Sequence, residues 1–354
     1  MSRRRDHAQR PPSAILAMKA FVTGATGLAG SHLAERLVEL GHDVVALVRP
    51  TSDTGLLRKL GAQLAIGDLN DQPSIERGMK GADVVFHVAA KVTDWGSWAE
   101  FQRDIIDGTR HVLEAMRACG VRRIVYMSSV AVYGYVAHRG GIWNESAPYA
   151  SHFLAWEHYA PAKIAAEKLV LSYHDKNWVE ACVIRPGWIY GPRDRASLPR
   201  LVQFLKGRMA CCIGSGENPV ALIYAQNLAD ACLLAASKPN ALGRIFNIST
   251  DCQVTQRQYL NALAQGLGLK PVTRSIPLTV ALNIARLSEF SARLLQQKEP
   301  PTISRYAVYI LSNKAVFDCT RARQELGWSP RIGFEEGLAK TIEWFKAEYL
   351  NSRR

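Results

Sequence analysis

The sequence has no apolar run approaching the roughly 18 residues that a membrane-spanning helix requires. It has no CxxC pair either. Its seven cysteines, at positions 119, 182, 211, 212, 232, 252 and 319, fall mostly in apolar segments. An odd count without ligand spacing argues against a disulfide framework and a metal site, and predicts reduced thiols in a cytoplasmic protein. No stripe of arginine and lysine interleaved with aromatics occurs, so the net charge of +13 does not point to nucleic acid. The charge is dispersed. Arg3, Arg4, Arg5 and Arg10 against Asp6 give +3, Arg353 and Arg354 give +2, and +8 is left for the body. That excess suits an anionic cofactor or substrate.

Residues 1–17, MSRRRDHAQRPPSAILA, start with arginines, but AILA is too short for the apolar core of a signal peptide. They are expected to form a disordered leader, with the folded unit beginning at Met18. From there, short β-branched runs alternate with amphipathic stretches. KAFVTG, DVVALVR, AQLAIG, ADVVFHVAA, RRIVYMSS, EACVIRP and RIFNIS each read as buried parallel strands. Helical segments near 28–40, 53–60, 72–80, 98–119 and 160–176 lie between or after them. Repeated β-α units predict an α/β fold, a Rossmann-type doubly wound parallel sheet with helices on both faces.

After Gly191 the rhythm loosens. Segments 195–207, 225–237, 255–266 and 277–296 read as helices, PPTISRYAVYILSN as an irregular or strand-containing connection, and the last stretch as two helices around a Gly-Trp-x-Pro turn. The expected organisation is a dinucleotide-binding domain over 18–190, to which 222–250 returns. A smaller, mostly helical substrate-binding cap would comprise 191–221 and 251–350.

FVTGATGLAGSHLAERLVEL sets Gly24, Gly27 and Gly30 between a strand and a helix. Glycines there permit a tight turn and let backbone N–H groups reach a pyrophosphate, so Gly24, Thr26, Gly27 and Leu28 are candidate cofactor contacts. An acidic residue at the end of the second strand would hold ribose hydroxyls, whereas an arginine accommodates a 2′-phosphate. The sequence has Arg49 there, and Asp53 lies later, in a capping position. NADP(H) is therefore expected over NAD(H). Asp68 and Leu69 of GDLND, and Ala89, Ala90 and Lys91 of HVAAK, fall at strand ends in the same crevice.

HYAPAKIAAEKLV places Tyr159 four residues before Lys163, on one helical face, with Pro161 in the first turn where proline is tolerated. Ser128 and Ser129 end the fifth strand. A free tyrosine has a pKa of about 10, and a neighbouring ammonium together with the positive nicotinamide of the oxidised cofactor is expected to lower it, so that the phenol can exchange a proton with a reacting alcohol or ketone oxygen. Ser129 would orient that oxygen.

TGATGLAG, Ser129 with VYG beyond it, YAPAK, RPGWIYGP, FNIS and ELGWSP together resemble the extended short-chain dehydrogenase/reductase family, from Met18 to about Tyr349. The resemblance implies a nicotinamide cofactor and a catalytic triad of Ser129, Tyr159 and Lys163. It also implies that Lys163 holds the nicotinamide ribose, that Pro186 and Gly187 adjoin the nicotinamide, and that helices 98–119 and 160–176 build a four-helix homodimer interface. Many members carry an asparagine where this chain has Ile105.

AAKVTDWGSWAEFQRDIIDGT and FDCTRARQELGWSPRIGFEEGL resemble the 3β-hydroxysteroid dehydrogenase-like and dihydroflavonol reductase-like branch. This implies oxidoreduction of a secondary alcohol or ketone on a small hydrophobic, sterol-like or β-hydroxy/β-keto substrate. Trp95, Trp98, Trp143, Trp188 and Tyr190 are candidates for its pocket. The alternatives are a nucleotide-sugar epimerase or dehydratase with tightly held NAD, and a non-catalytic NADP-binding regulator. Segment 277–296, apolar on one face and basic at Arg286, Arg293 and Lys298, reads as a lid, a membrane-surface element at most peripheral, or a plain cap helix.

Overall fold

The computed structural model describes residues 17–91, 95–134, 140–249, 253–297 and 299–350. Residues 1–16 of the expected leader, Cys252, Lys298, Arg353 and Arg354 lie outside them.

The first half of the chain alternates strand and helix. It runs β1 (Lys19–Thr23), α1 (Leu28–Glu39), β2 (Asp43–Val48), α2 (Gly55–Lys59), β3 (Gln63–Ile66), α3 (Gln72–Met79) and β4 (Val84–His87). Then come α4 (Trp98–Phe101), a π turn (Gln102–Asp107), α5 (Gly108–Cys119) and β5 (Arg123–Met127). Beyond them lie β6 (Gly141–Trp143), α6 (Tyr159–Asp175), β7 (Glu180–Pro186), β8 (Trp188–Tyr190), α7 (Ser197–Lys206), β9 (Cys212–Ile213), β10 (Leu222–Tyr224), α8 (Ala225–Ser237) and β11 (Ile245–Ile248). The remainder is α9 (Gln256–Gly266), β12 (Ser275–Ile276), α10 (Leu278–Leu294), α11 (Arg305–Ser312), β13 (Ala315–Phe317), a π turn (Ala322–Leu326) and α12 (Phe334–Trp344).

The seven β-branched runs all become strands of one parallel sheet, ordered β11-β7-β5-β4-β1-β2-β3. Chain order reverses around β1, which pairs with β2 on one side and β4 on the other, Thr23 lying opposite both Leu47 and His87. A crevice at the carboxyl ends of the strands follows from that reversal. Both faces are covered. Leu33, Leu37 and Ala231 of α1 and α8 join Val22 and Phe86 in one cluster, while Ile75, Met116 and Ala166 join Phe21 and Val85 in the other. Each such core Leu, Ile, Val or Phe contributes roughly 1.5–3 kcal/mol of transfer free energy. Gly120, in the left-handed region at φ 71°, ends α5.

Three features differ from the sequence reading. The segment RYAVYILS is the helix α11 rather than an irregular or strand-bearing connection. Buried Ser304 accepts the Ala307 N–H at 3.2 Å as its N-cap, and Arg305 pairs with Glu289 of α10, so capping and packing outweigh the β-propensity of Val308, Tyr309 and Ile310. The helix expected over 98–119 carries the π turn at its centre. Cys319, Ala322, Leu326 and Trp328, assigned by sequence to the cap, join the α1/α8 cluster of the sheet, and Trp328 Nε1–H donates to the Asn227 carbonyl at 3.0 Å. Among the described residues no helix is long and apolar enough to cross a membrane.

Two buried imidazoles make the fold sensitive to acid. His87 on β4 lies between Thr23 Oγ1 (2.8 Å) and Thr109 Oγ1 (3.0 Å), and burial, helped by the Lys163 charge, pushes it down to about 3. His32 on α1 faces the Pro192 carbonyl at 3.0 Å, and burial with the nearby Arg193 likewise lowers it to about 3. Both folded values lie below the unfolded value of 6.5. The unfolded chain therefore takes up protons first as pH falls from 6.5 towards 3, and stability declines over that window. Between pH 6.5 and 5 each histidine is expected to cost about 2 kcal/mol. Urea titrations at pH 7 and 5 measure the change, and His87→Gln should make it less unfavourable by about 2 kcal/mol.

Candidate active site

The loop after β1 is shaped by contacts that exclude side chains. A Cβ on Gly24, at φ +73°, would stand 2.7 Å from Ala89 N, and one on Gly30 would stand 2.2 Å from Gly24 O. Gly27 is different: its nearest non-neighbouring atom would be 3.4 Å away, and the residue lines a cavity. Gly27 is also the N-cap of α1, and no side chain caps that terminus. Leu28, Ala29 and Gly30, the first-turn residues whose amides have no intrahelical acceptor, line the cavity there, a site suited to a pyrophosphate.

The cavity has a volume of about 1000 Å³ and follows the carboxyl ends of the strands. Gly24, Thr26, Gly27 and Leu28 line it after β1, Arg49 after β2, Asp68 and Leu69 after β3, and Ala89, Ala90 and Lys91 after β4. Pro186 and Gly187 line it after β7. Asp68 is held in an Asp-Asn turn, its Oδ1 accepting from Asn70 N at 2.9 Å. Lys91 pairs with Glu100 at 3.2 Å. Asp53 accepts the Gly55 N–H at 3.1 Å and pairs with Arg195, as suits a residue entering α2.

Ser129, Tyr159 and Lys163 line the same cavity. Tyr159 opens α6, and Pro161 sits in the first turn, where its missing N–H breaks no helical bond. The electrostatics differ from the sequence expectation. Burial raises the Tyr159 phenol to about 12, and only the Ser129 hydroxyl pulls it back. The Lys163 ammonium instead donates to the Met127 carbonyl at 2.7 Å, and burial lowers it to about 7 against the pull of Glu167. Desolvation of both groups outweighs their mutual influence, so the phenol is a neutral acid at neutral pH.

Behind Lys163 lies a network that sequence reasoning missed. Glu167, fully buried, accepts from Arg185 Nη2 at 2.5 Å, from Tyr149 Oη at 2.9 Å and from the hydroxyl of Ser128. Arg185 Nη1 donates to Tyr133 Oη at 2.8 Å, and that phenol donates to Asn247 Oδ1 at 2.8 Å. Ser52 and Arg103 also line the cavity. Ser52 follows Arg49 closely enough to be found from sequence, whereas Arg103 is presented by the π turn and carries no local signal. Glu157, two residues before Tyr159, is a buried wall residue raised to about 7 by desolvation. Ile105 is turned into the core, and its carbonyl accepts the Thr109 hydroxyl at 2.6 Å.

Beyond Tyr159 the cavity opens into an apolar lobe lined by Leu201, Phe204, Ile213, Ile284, Ile303 and Tyr306. The Tyr306 ring of α11 lies 6.4 Å from the Tyr159 ring. Of the sequence-selected aromatics, Trp188 lines the cavity. Trp143 and Tyr190 do not. Trp143 packs on Tyr133 at 5.9 Å, and Tyr190 is buried against Tyr224 and Phe334, so both serve the core. Trp95 lies off the wall, its Nε1–H donating to Gln297 O at 3.0 Å, and Trp98 is exposed beside His158.

Sheet order, glycine cradle and crevice define a Rossmann-type dinucleotide-binding protein. The NAD dependent epimerase/dehydratase family matches residues 20–249, and the chain belongs to that family, the extended short-chain dehydrogenases/reductases. It is an oxidoreductase of this family with NAD(P)-binding relatives. The 2-alkyl-3-oxoalkanoate reductase of Shewanella oneidensis is 33% identical over 334 residues, covering 91% of this chain and 84% of its own. The decarboxylating sterol-4-alpha-carboxylate 3-dehydrogenase of Mus musculus is 30% identical, covering 93% and 91%. The crystal structure of gox2253 superposes with a TM-score of 0.76 at 28% identity, covering 93% of this chain and 98% of its own.

Proposed function

We propose that the protein interconverts a secondary alcohol and a ketone on a hydrophobic substrate, using NADP(H) and the side chains of Ser129, Tyr159 and Lys163. The observation that carries this reading is the continuity of the cavity, from the uncapped N-terminus of α1, past Ser129 and Tyr159, into the apolar lobe. The dinucleotide, when bound, supplies hydride exchange at the carbonyl carbon. In the reductive direction Tyr159 gives its proton to the carbonyl oxygen, and Ser129 orients that oxygen. Lys163, fixed by the Met127 carbonyl, would hold the nicotinamide ribose and offset the phenolate left on Tyr159.

The two relatives support a β-oxygenated lipophilic acid as the substrate class, since a 3-oxoalkanoate and a sterol-4-carboxylate with a reacting 3-position both set a carboxylate β to the reacting oxygen. Among the described lining residues the cations are Arg49, Lys91, Arg103, Lys163 and Arg200, and Arg200 is the one carried by α7 beside Leu201 and Phe204 of the apolar lobe. Its Nη2 donates to Pro301 O at 2.8 Å, and its buried Nε has no partner among the described residues. One guanidinium suits one carboxylate and is sparse for the diphosphate of a nucleotide sugar. A coenzyme-coupled screen of long-chain 3-oxo acids and sterols tests the reading. Turnover of a nucleotide sugar without added coenzyme, by protein purified with bound NAD⁺, would replace it.

Preference for NADP(H) is supported by Arg49, Ser52 and Arg103 on the cavity wall and by the lack of an acidic residue ending β2. Arg49→Asp should weaken NADPH binding about 10–100-fold and NADH binding less than about threefold. Fluorescence titration measures both, and an unchanged ratio would assign the 2′-phosphate to other groups. We further propose a homodimer through α4–α5 and α6, measurable by light scattering.

A further inference from the structure

We propose that α10 is an interfacial helix that seats the protein on an anionic lipid surface, beside the entrance to the apolar lobe. The helix is arranged the wrong way round for a cap that only covers a core. It buries Ala281, Ala285, Glu289 and Ala292, small residues and one acid, and turns its large apolar side chains outward. Leu287, Phe290 and Leu294 are 69%, 67% and 73% exposed, and Leu295 just beyond is 69% exposed. Spacings of three and four place Leu287, Phe290 and Leu294 on one stripe. Single exposed leucines are ordinary on a protein surface, but a contiguous stripe marks a surface that meets something apolar.

Charge selects the occupant. The only acidic residue of α10, Glu289, faces inward and is paired with Arg305 at 2.6 Å. The exposed face keeps Arg286 and Arg293, both cationic, beside the leucines. Apolar anchors with arginines and no acid match a bilayer bearing negative headgroups. Trp95 adjoins this face, its ring 5.4 Å from the Arg293 guanidinium, and tryptophan favours the headgroup level. At 17 residues, α10 lies on a bilayer and does not cross it. The inner edge of the same helix, Ala281 and Ile284, walls the cavity, and Met209, 59% exposed, also lines it. A lipophilic molecule leaving the acyl region would therefore meet the entrance without passing through bulk water.

The test is co-sedimentation of the full chain with vesicles of phosphatidylcholine and phosphatidylglycerol, against vesicles of phosphatidylcholine alone. Binding is expected to the first and to be weakened by salt. The triple variant Leu287→Ser/Phe290→Ser/Leu294→Ser should lower vesicle affinity at least about tenfold, while Arg286→Gln should reduce the preference for the anionic vesicles. None of these residues lines the cavity, so reduction of a small soluble ketone should be unchanged, and circular dichroism checks the fold. Wild-type protein that stays in the supernatant overturns the proposal. So does light scattering that shows a self-associating protein made monomeric by the triple variant without vesicle binding, which would assign the stripe to a second copy of the chain. Equal binding by wild type and triple variant overturns it as well.

Discussion

Replacing Tyr159 with phenylalanine should lower kcat for ketone reduction by about 10³-fold, the middle of the range for a positioned proton donor, while coenzyme affinity stays within about a factor of two. The ring is retained, so its contact with Tyr306 and its place at the start of α6 survive. What is removed is the buried hydroxyl, held near 12 by desolvation and partnered by Ser129. Because that value lies far above neutral pH, the reductive direction finds the phenol already protonated. Lys163 supplies the pH dependence: burial lowers it from 10.5 to about 7, so its charge is present below that pH and is lost above it. Steady-state reduction by the phenylalanine variant, read from coenzyme absorbance beside a fluorescence titration of coenzyme binding, decides the matter. Activity within tenfold of wild type would move the proton donor elsewhere, Glu157, two residues before Tyr159 in the chain, being a buried acid of the wall.

Removing the carboxylate of Glu167 should cost the fold about 3–5 kcal/mol, the range for breaking a buried ion pair on one side. Glu167→Ala leaves the Arg185 guanidinium, 2% exposed, without its counter-charge and strips the acceptor from Tyr149 and Ser128. Glu167→Gln keeps the shape and several hydrogen bonds but not the charge, and should fall between wild type and the alanine variant. Urea denaturation measures both. A loss below about 1 kcal/mol for the alanine variant would mean that Arg185 finds another partner or water. The consequence for activity is indirect. Ser128 follows Met127, whose carbonyl fixes Lys163, so loosening this strand end displaces the lysine and should raise the coenzyme KM more than Tyr159→Phe does.

All seven sheet strands were legible because a strand buried on both faces is written as a continuous β-branched run. Tyr159 and Lys163 were legible because one helix turn carries both. The glycine loop was legible because its neighbours in sequence are also its neighbours in space. The network around Glu167 was not, since Ser128, Tyr149, Glu167 and Arg185 come from separate segments that only the closed sheet brings together. Trp143 and Tyr190 show a related limit: an aromatic that fills a core and one that lines a cavity have the same local sequence. The helix α11 was hidden by its composition, rich in residues that favour strands until Ser304 and Glu289 fix its first turn. In the protein alone burial raises the Tyr159 phenol, since the expected lowering draws also on the charge of a bound nicotinamide. Spacing says which groups meet, whereas burial sets what their charges cost.

The edge strand β11 leaves its mark on how such a chain can be made. It pairs with β7, yet some sixty residues separate Pro186 from Ile245, and they include α7 and α8. A fragment ending at residue 190 would end its sheet at β7 with unmet backbone groups, an invitation to strand pairing between molecules. The nucleotide lobe cannot finish closing until Ile248 has emerged from the ribosome, so early products of translation should be poorly soluble. Production of the two lobes as separate polypeptides should fail, whereas co-expression split after Ile248 keeps every strand of the seven-stranded sheet on one piece.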